Sequence, residues 1–207
     1  MSVFRPFQFI SKFDIETRAL DVWLKMESAN CQPELPVDAS LIAEFLDLDI
    51  VWDTIPDDEQ GAIAARILPL EKLIEINENI PELRGGFGES TIAHEIGHWI
   101  LHIDTKKVAS YIRLREKGIE LQVKPFLCRS SEDTIARIEW QAQYFAGCLL
   151  MPQHILTHLK QDKDLTKWRH LYEMAAQLGV TISNLTTRLQ DLGWITLDPQ
   201  TRKIFLN

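Results

Sequence analysis

Apolar residues recur at helical spacing over 11–28, at Ile15, Leu20, Val22, Trp23 and Met26, which predicts an amphipathic helix. Two prolines break the pattern in the following loop, 30–36. Asp38 offers a side-chain oxygen to cap a short helix reaching Leu46. The period then shortens. Residues 48–52, 61–68 and 73–77 read as strands, with LIEI alternating in the last. A loop rich in Pro and Gly fills 78–88, and Ser90 is placed to cap a helix running to about His102. Residues 103–131 hold no clear period and read as a mixed strand-and-turn region. A long helix is predicted over 131–151, and Pro152 opens a further short one. Residues 165–178 are helical, Gly179 stops them, and 182–192 form the next helix. Segments 194–197 and 203–206 close a hairpin.

Composition narrows the class. With 207 residues, 45% hydrophobic and 25% charged, the chain reads as globular and long enough to bury a core without disulfides. The net charge of -8 lacks the positive field that drives non-specific binding to DNA or anionic lipid. The exception is local: Lys106, Lys107, Arg113, Arg115, Lys117, Lys124 and Arg129 make 106–129 the basic segment of an acidic chain. Cys31, Cys128 and Cys148 form no C-x-x-C pair and no disulfide framework, which favours a reducing compartment. No apolar run approaches the ~20 residues of a membrane helix, and the N-terminus lacks the apolar centre of a signal peptide. The expectation is a soluble, cytoplasmic protein with no membrane partner.

Candidate chemistry centres on His94-Glu95-Ile96-Gly97-His98, an H-E-x-x-H on the predicted 90–102 helix. Residues four apart share a helix face, so His94 and His98 can converge on one metal ion. Glu95 is rotated by about 100° and flanks that ion, placed to take a proton from water and pass it to a leaving amine. Gly97 lets another backbone pass close. A third ligand is needed. His102 shares the face, but eight residues of helix rise about 12 Å, which places it behind the ligands or at the solvent edge. Glu139 is the stronger candidate. It lies within the apolar stripe Ile135, Ile138, Ala142, Phe145, Ala146 and Leu149, where a carboxylate is costly unless paired or metal-bound. Glu132 and Asp133 are rivals, but acids at a helix start already suit its dipole.

These residues carry a family resemblance. HEIGHWILH at 94–102 and EWQAQYFAGCLLMP at 139–152 resemble the two motifs of the ImmA/IrrE metallopeptidases. The segment 61–81 resembles the family's strand pair ending in Asn, and 179–195 its closing helix pattern. The resemblance implies His94, His98 and Glu139 as metal ligands and Glu95 as general base. Zn2+ is the implied ion, with Mn2+ or Fe2+ able to occupy such a site. It implies a zincin-like α+β fold: a small mixed or antiparallel sheet packed on the H-E-x-x-H helix and a Glu-bearing helix, with a C-terminal helical, helix-turn-helix-like subdomain. The expected organisation is an N-terminal helical extension over 1–35, a peptidase core over 36–160 and the C-terminal subdomain with its hairpin over 161–207. The implied activity is endopeptidase cleavage of a helix-turn-helix repressor of the Xre type, in a stress or mobile-element response. The alternative is a metal-containing regulator that acts by contact, as one member of a toxin–antitoxin-like pair. Gln143 departs from the family's usual Asn or Asp, and the basic insertion at 103–131 bears on which substrate is recognised.

Strands 61–77 can form an edge that receives a peptide as an added strand. Residues 165–192 with the 194–206 hairpin have the outline of a winged helix-turn-helix. The 182–192 helix offers Asn184, Arg188 and Gln190 to base edges, but Asp191 stands among them, and direct nucleic-acid binding is not expected. An oxyanion stabiliser is expected opposite the metal. Tyr111, Tyr144, His154, His158, His170 and Tyr172 are chemically able, and the sequence does not choose among them. Cys148 reads as a small buried hydrophobe.

Overall fold

The computed structural model describes residues 2–31, 33–58, 61–83, 86–121, 123, 125–127 and 133–207. An extended segment opens the chain and lies across later structure. Phe4 bridges Ile103, the Arg5 N–H donates to the His102 carbonyl at 2.8 Å, and the Asp104 N–H to the Val3 carbonyl at 2.8 Å. Helix α1 (Lys12–Ser28) is capped by Ser11, which accepts from the Asp14 N–H. It buries Ile15, Ala19, Val22, Trp23 and Met26, while Leu20 of the predicted stripe faces solvent. Helix α2 (Ala39–Phe45) is capped by Asp38, as the sequence suggests.

Four strands form the sheet, three in the predicted segments and a short fourth within 103–131. They are β1 (Asp49–Asp53), β2 (Ala65–Leu68), β3 (Leu73–Asn77) and β4 (Phe126–Leu127), in spatial order β1-β3-β2-β4. β1 runs parallel to β3 and the other pairs are antiparallel, so the sheet is mixed. Ala65, Ile67, Ile74 and Ile76 are buried. Residues 61–64 enter without pairing as a strand. The Asn77 amide pins that approach, donating to the carbonyls of Ile63 at 2.9 Å and Ile55 at 3.1 Å. The outer strands are β1 and β4. The expectation of a peptide-receiving edge at 61–77 is therefore corrected: β2 and β3 each pair on both sides.

Helix α3 (Gly86–His102) begins four residues earlier than Ser90. Gly88 allows this, since a Cβ there would meet the Leu83 carbonyl oxygen at 2.4 Å. The first turn of the helix thereby packs against the end of the 3-10 turn Pro81–Leu83. Ser90 is no cap; its hydroxyl accepts from the Asn184 amide at 2.8 Å.

Residues 105–116 are also corrected, from strand and turn to helix α4 (Thr105–Glu116), capped by Asp104. Val108 is its buried residue, and the basic side chains around it are solvated or paired, as Arg115 is with Glu71 at 2.7 Å. The inner face of α4 is a single turn, Val108 with half-buried Tyr111 and Ile112, too short a stripe to stand out among the charges around it. Lys124, Cys128 and Arg129 lie outside the described residues.

Helix α5 (Asp133–Leu150) crosses α3 and packs on α1, where the Trp23 indole donates to the Leu149 carbonyl at 3.0 Å. Helices α6 (Gln153–Leu159), α7 (Trp168–Leu178) and α8 (Ile182–Asp191) follow, then the hairpin β5 (Ile195–Leu197) and β6 (Ile204–Leu206). Gly179 ends α7 with φ +67°, a conformation that favours glycine. Arg188 of α8 is buried and grips Glu16 of α1 through two bonds of 2.5 and 2.8 Å, while the Tyr144 hydroxyl donates to the same carboxylate at 2.9 Å. One side-chain cluster thus ties α1, α5 and α8 together.

Burial raises the pKa of Glu16, but the Arg188 guanidinium and the Tyr144 hydroxyl outweigh it and hold the carboxyl below its ordinary range. The stabilisation is full above the unfolded value, about 4.3, and is lost as pH falls through the lower native one. Glu16→Gln is expected to reduce unfolding free energy by about 2–3 kcal/mol at neutral pH. Urea titrations of both proteins at neutral and acid pH check this: the gap between them closes on acidification.

Candidate metal centre

The site is built where α3 and α5 cross. Gly97 faces the α5 backbone so closely that a Cβ there would lie 3.0 Å from the Ala142 carbonyl oxygen, 3.1 Å from its Cα and 3.2 Å from the Phe145 ring. This approach brings a side chain of α5 onto the histidine face of α3. His94 Nε2 lies 2.9 Å from His98 Nε2 and 3.1 Å from Glu139 Oε2, and His98 Nε2 lies 3.6 Å from that oxygen.

The arrangement fits an ion. A tetrahedral metal with bonds of about 2.0–2.1 Å sets its ligand atoms about 3.3 Å apart. The three separations scatter around that length. Two imidazole nitrogens and a carboxylate oxygen converge within 4.8 Å of one another, which is the chemistry of such a donor set. The His98 side chain is fully buried, whereas those of His94 and Glu139 are 13% and 17% exposed, so the centre is reached from their side. Glu95 is 1% exposed, and its Oε2 is a buried oxygen with no hydrogen-bond partner among the described residues. A carboxylate held this way is expensive unless a proton or a cation answers it.

Electrostatics separate the four groups. Burial raises the Glu95 pKa to about 7; His94 opposes the rise and Glu139 adds to it. Burial also dominates at His98, taking it down to about 4, so the ring is neutral and its nitrogen is available as a donor. At His94 burial lowers the pKa, but hydrogen bonding to Glu139 and the nearby carboxylate charges raise it overall.

The other predicted residues fall elsewhere. His102 is buried behind His98, its Nδ1 at 3.0 Å from the His98 Nδ1, and takes no place among the three donors. Glu132 lies outside the described residues, as does the side chain of Asp133. Among the oxyanion candidates, Tyr144 is committed to Glu16, and burial pushes its hydroxyl pKa upward. His170 Nδ1 accepts from the Asp164 N–H, and the ring of His154 packs edge-on against Trp23. His158 and Tyr172 are exposed, and Tyr111 packs half-buried against the core. Cys148 is buried, and burial drives its thiol pKa far up. On α8, Arg188 and Asn184 are bound to Glu16 and Ser90, and Asp191 to Lys12. None of these three is disposed as a base-reading residue.

Two residues carry weight that sequence reasoning missed. Gln143, one turn beyond Glu139, adds to the rise in the His94 pKa and lines a cavity of about 260 Å3 with Ser90, Trp140, Tyr144, Gly147 and Asn184. Its spacing of four from Glu139 is the signal that could have found it. Gln141, 1% exposed, bonds His102. A glutamine beside Ala142 on a buried stripe needs partners, and that was its signal.

Residues 51–190, about two-thirds of the chain, match the peptidase family described as the IrrE N-terminal-like domain. The chain belongs to that family, and its mixed α+β architecture is consistent with the family's zincin-like fold. No curated protein matches it. Among solved structures, a Mycobacterium tuberculosis transcriptional regulator is similar, with a TM-score of 0.50 and 19% identity. That match covers 91% of this chain and 49% of that one, so the chain spans about half the length of that regulator. Among the described residues no helix is long and apolar enough to cross a membrane.

Gly97→Ala is expected to force α3 and α5 apart, because its closest contact is backbone that cannot swing away. Stability should fall by about 1–3 kcal/mol. Zinc affinity, measured by competition with a chromophoric chelator, should fall at least tenfold.

Proposed function

We propose that the protein is a zinc-dependent endopeptidase that cuts a helix-turn-helix transcriptional regulator at one exposed site. The observation that carries this reading is the convergence of His94, His98 and Glu139 at 2.9, 3.1 and 3.6 Å, beside a buried Glu95 whose Oε2 has no hydrogen-bond partner among the described residues. Zinc held by those three side chains supplies Lewis-acid polarisation of the scissile carbonyl and lowers the pKa of water toward ~7. His94 and His98 present their Nε2 atoms from successive turns of α3, and Glu139 closes the set from α5. Glu95 Oε2 accepts the proton of the attacking water and returns it to the departing amine. Without a cation beside it, burial raises its pKa, so it takes up a proton readily. Gln143, one turn beyond Glu139, lines a cavity in which a substrate side chain could sit. Mn2+ or Fe2+ would fit the same donors.

The substrate class is supported by the family resemblance, and the fold neighbour is itself a transcriptional regulator. Cleavage confined to one folded partner would suit an enzyme resident in the cytoplasm. The contact-regulator reading predicts a different response to one substitution, Glu95→Gln, which retains side-chain shape and removes the proton acceptor. A mass-spectrometric survey of new protein N-termini is made in cells expressing wild type or Glu95→Gln. The expected result is a short list headed by one regulator, present only with wild type, and a loss of at least 10²-fold in cleavage in the variant. Identical lists, with both proteins folded and metal-loaded, would move the function to contact.

The ligand assignment has its own check. Zinc at a hundredfold excess over its Kd should stabilise the wild type by about 2.7 kcal/mol. In His94→Ala and Glu139→Ala this gain should largely vanish, read as the shift in thermal midpoint on adding metal.

A further inference from the structure

A buried polar chain leads away from the metal centre. His98 Nδ1 lies 3.0 Å from His102 Nδ1, His102 Nε2 lies 2.9 Å from Gln141 Oε1, and Gln141 Nε2 lies 3.2 Å from the Gln8 carbonyl oxygen. All three side chains are buried. The chain has a direction, and its far end sets it. A backbone carbonyl can only accept a hydrogen bond. Gln141 therefore turns its amide NH2 to Gln8 and its oxygen to His102. That oxygen also only accepts, so His102 carries its hydrogen on Nε2, and in the neutral ring Nδ1 is bare. Bare Nδ1 accepts from His98, which must then be protonated at Nδ1. The His98 Nε2 lone pair is left facing His94 and Glu139. Reversing the chain would set the Gln141 oxygen against the Gln8 carbonyl at contact distance, two acceptors with no hydrogen between them.

We propose that His102 and Gln141 are positioning residues that lock His98 in the Nδ1–H tautomer, with the Gln8 carbonyl as the fixed end that sets the direction. The inference rests on the reading of His94, His98 and Glu139 as metal ligands. A partner on the far nitrogen fixes both the tautomer and the ring orientation of a ligating histidine. Here the fixed end comes from the N-terminal segment, outside the family-matched residues 51–190. That segment is bound to the end of α3 at Arg5 and at Asp104, so the relay is anchored to the helix it serves.

Zinc affinity of the full-length protein, by chelator competition, separates the possibilities. His102→Leu and Gln141→Met remove the relay while retaining apolar bulk, and each is expected to bind zinc about 10–100-fold more weakly. His102→Gln, whose amide can accept from His98 and donate to Gln141, is expected to recover most of that loss. Folding of each apo-protein is followed by circular dichroism. Equal affinity in folded His102→Leu and Gln141→Met would overturn the proposal. So would a folded His102→Gln as weak as His102→Leu, since the effect would then be packing. A wild type that binds no zinc would instead remove the ligand reading beneath it.

A second measurement needs no variant. Long-range proton–nitrogen NMR correlations of the histidine rings in the zinc-loaded wild type should show hydrogen on Nδ1 of His98 and on Nε2 of His102. Hydrogen on Nδ1 of His102 would contradict the proposed direction.

Discussion

Everything at the centre depends on how close α3 and α5 can come. An ion of this kind needs donors about 3.3 Å apart, and two helices packed at ordinary distance, roughly 8–10 Å between axes, would separate short side chains too far. Gly97 removes the obstacle at the crossing, and Ala142 offers the smallest face opposite it. Once the backbones touch there, His94 and His98 from one helix and Glu139 from the other meet without long or mobile side chains. Glu95, on nearly the opposite face of α3 from Gly97, is buried as well, and that burial raises its pKa. Packing and chemistry are two consequences of one missing Cβ.

Around this crossing the molecule holds its polar groups in buried, directional contacts. Glu16, Arg188 and Tyr144 lock α1 and α8 onto α5 from behind. Asn77 ties the approach to β2 onto the end of β3, while the sheet presents Ile67, Ile74 and Ile76 to the core. The N-terminal segment clasps the end of α3 at Arg5 and Asp104. Partly exposed His94 and Glu139 leave one side of the centre accessible, and fully buried His98 closes the other. An accessible donor pair on a rigid back wall is what a hydrolytic site needs: room for a substrate on one side, and fixed geometry on the other.

Much of this was legible in the residues, because the strongest signals were local or periodic. The i, i+4 spacing placed His94 and His98 on one face, and the apolar stripe of the 131–151 helix marked Glu139 as a carboxylate needing a reason. Asp38, Pro152 and Gly179 punctuate the chain where they should. The failures share a cause. Helix α4 rests on its Asp104 cap and one turn of apolar contact, Val108, Tyr111 and Ile112, too short a stripe to stand out among its charges. The start of α3 depends on Gly88 packing against a carbonyl five residues earlier, which no cap rule sees. Strand order is a long-range property, so the inner placement of β2 and β3 followed only from the pairing of β1 and β4. The link from His98 through His102 and Gln141 to Gln8 joins segments far apart in sequence and has no local signature.

The central claim is that one crossing of α3 and α5 builds a metal site from two histidines and one glutamate. X-ray absorption at the zinc edge of the loaded, full-length protein tests it most directly. The account predicts two imidazoles with oxygen completing the first shell, all at about 2.0–2.1 Å, and loss of one oxygen scatterer in Glu139→Ala. A sulfur at about 2.3 Å, a third imidazole, or a first shell unchanged by Glu139→Ala would contradict it.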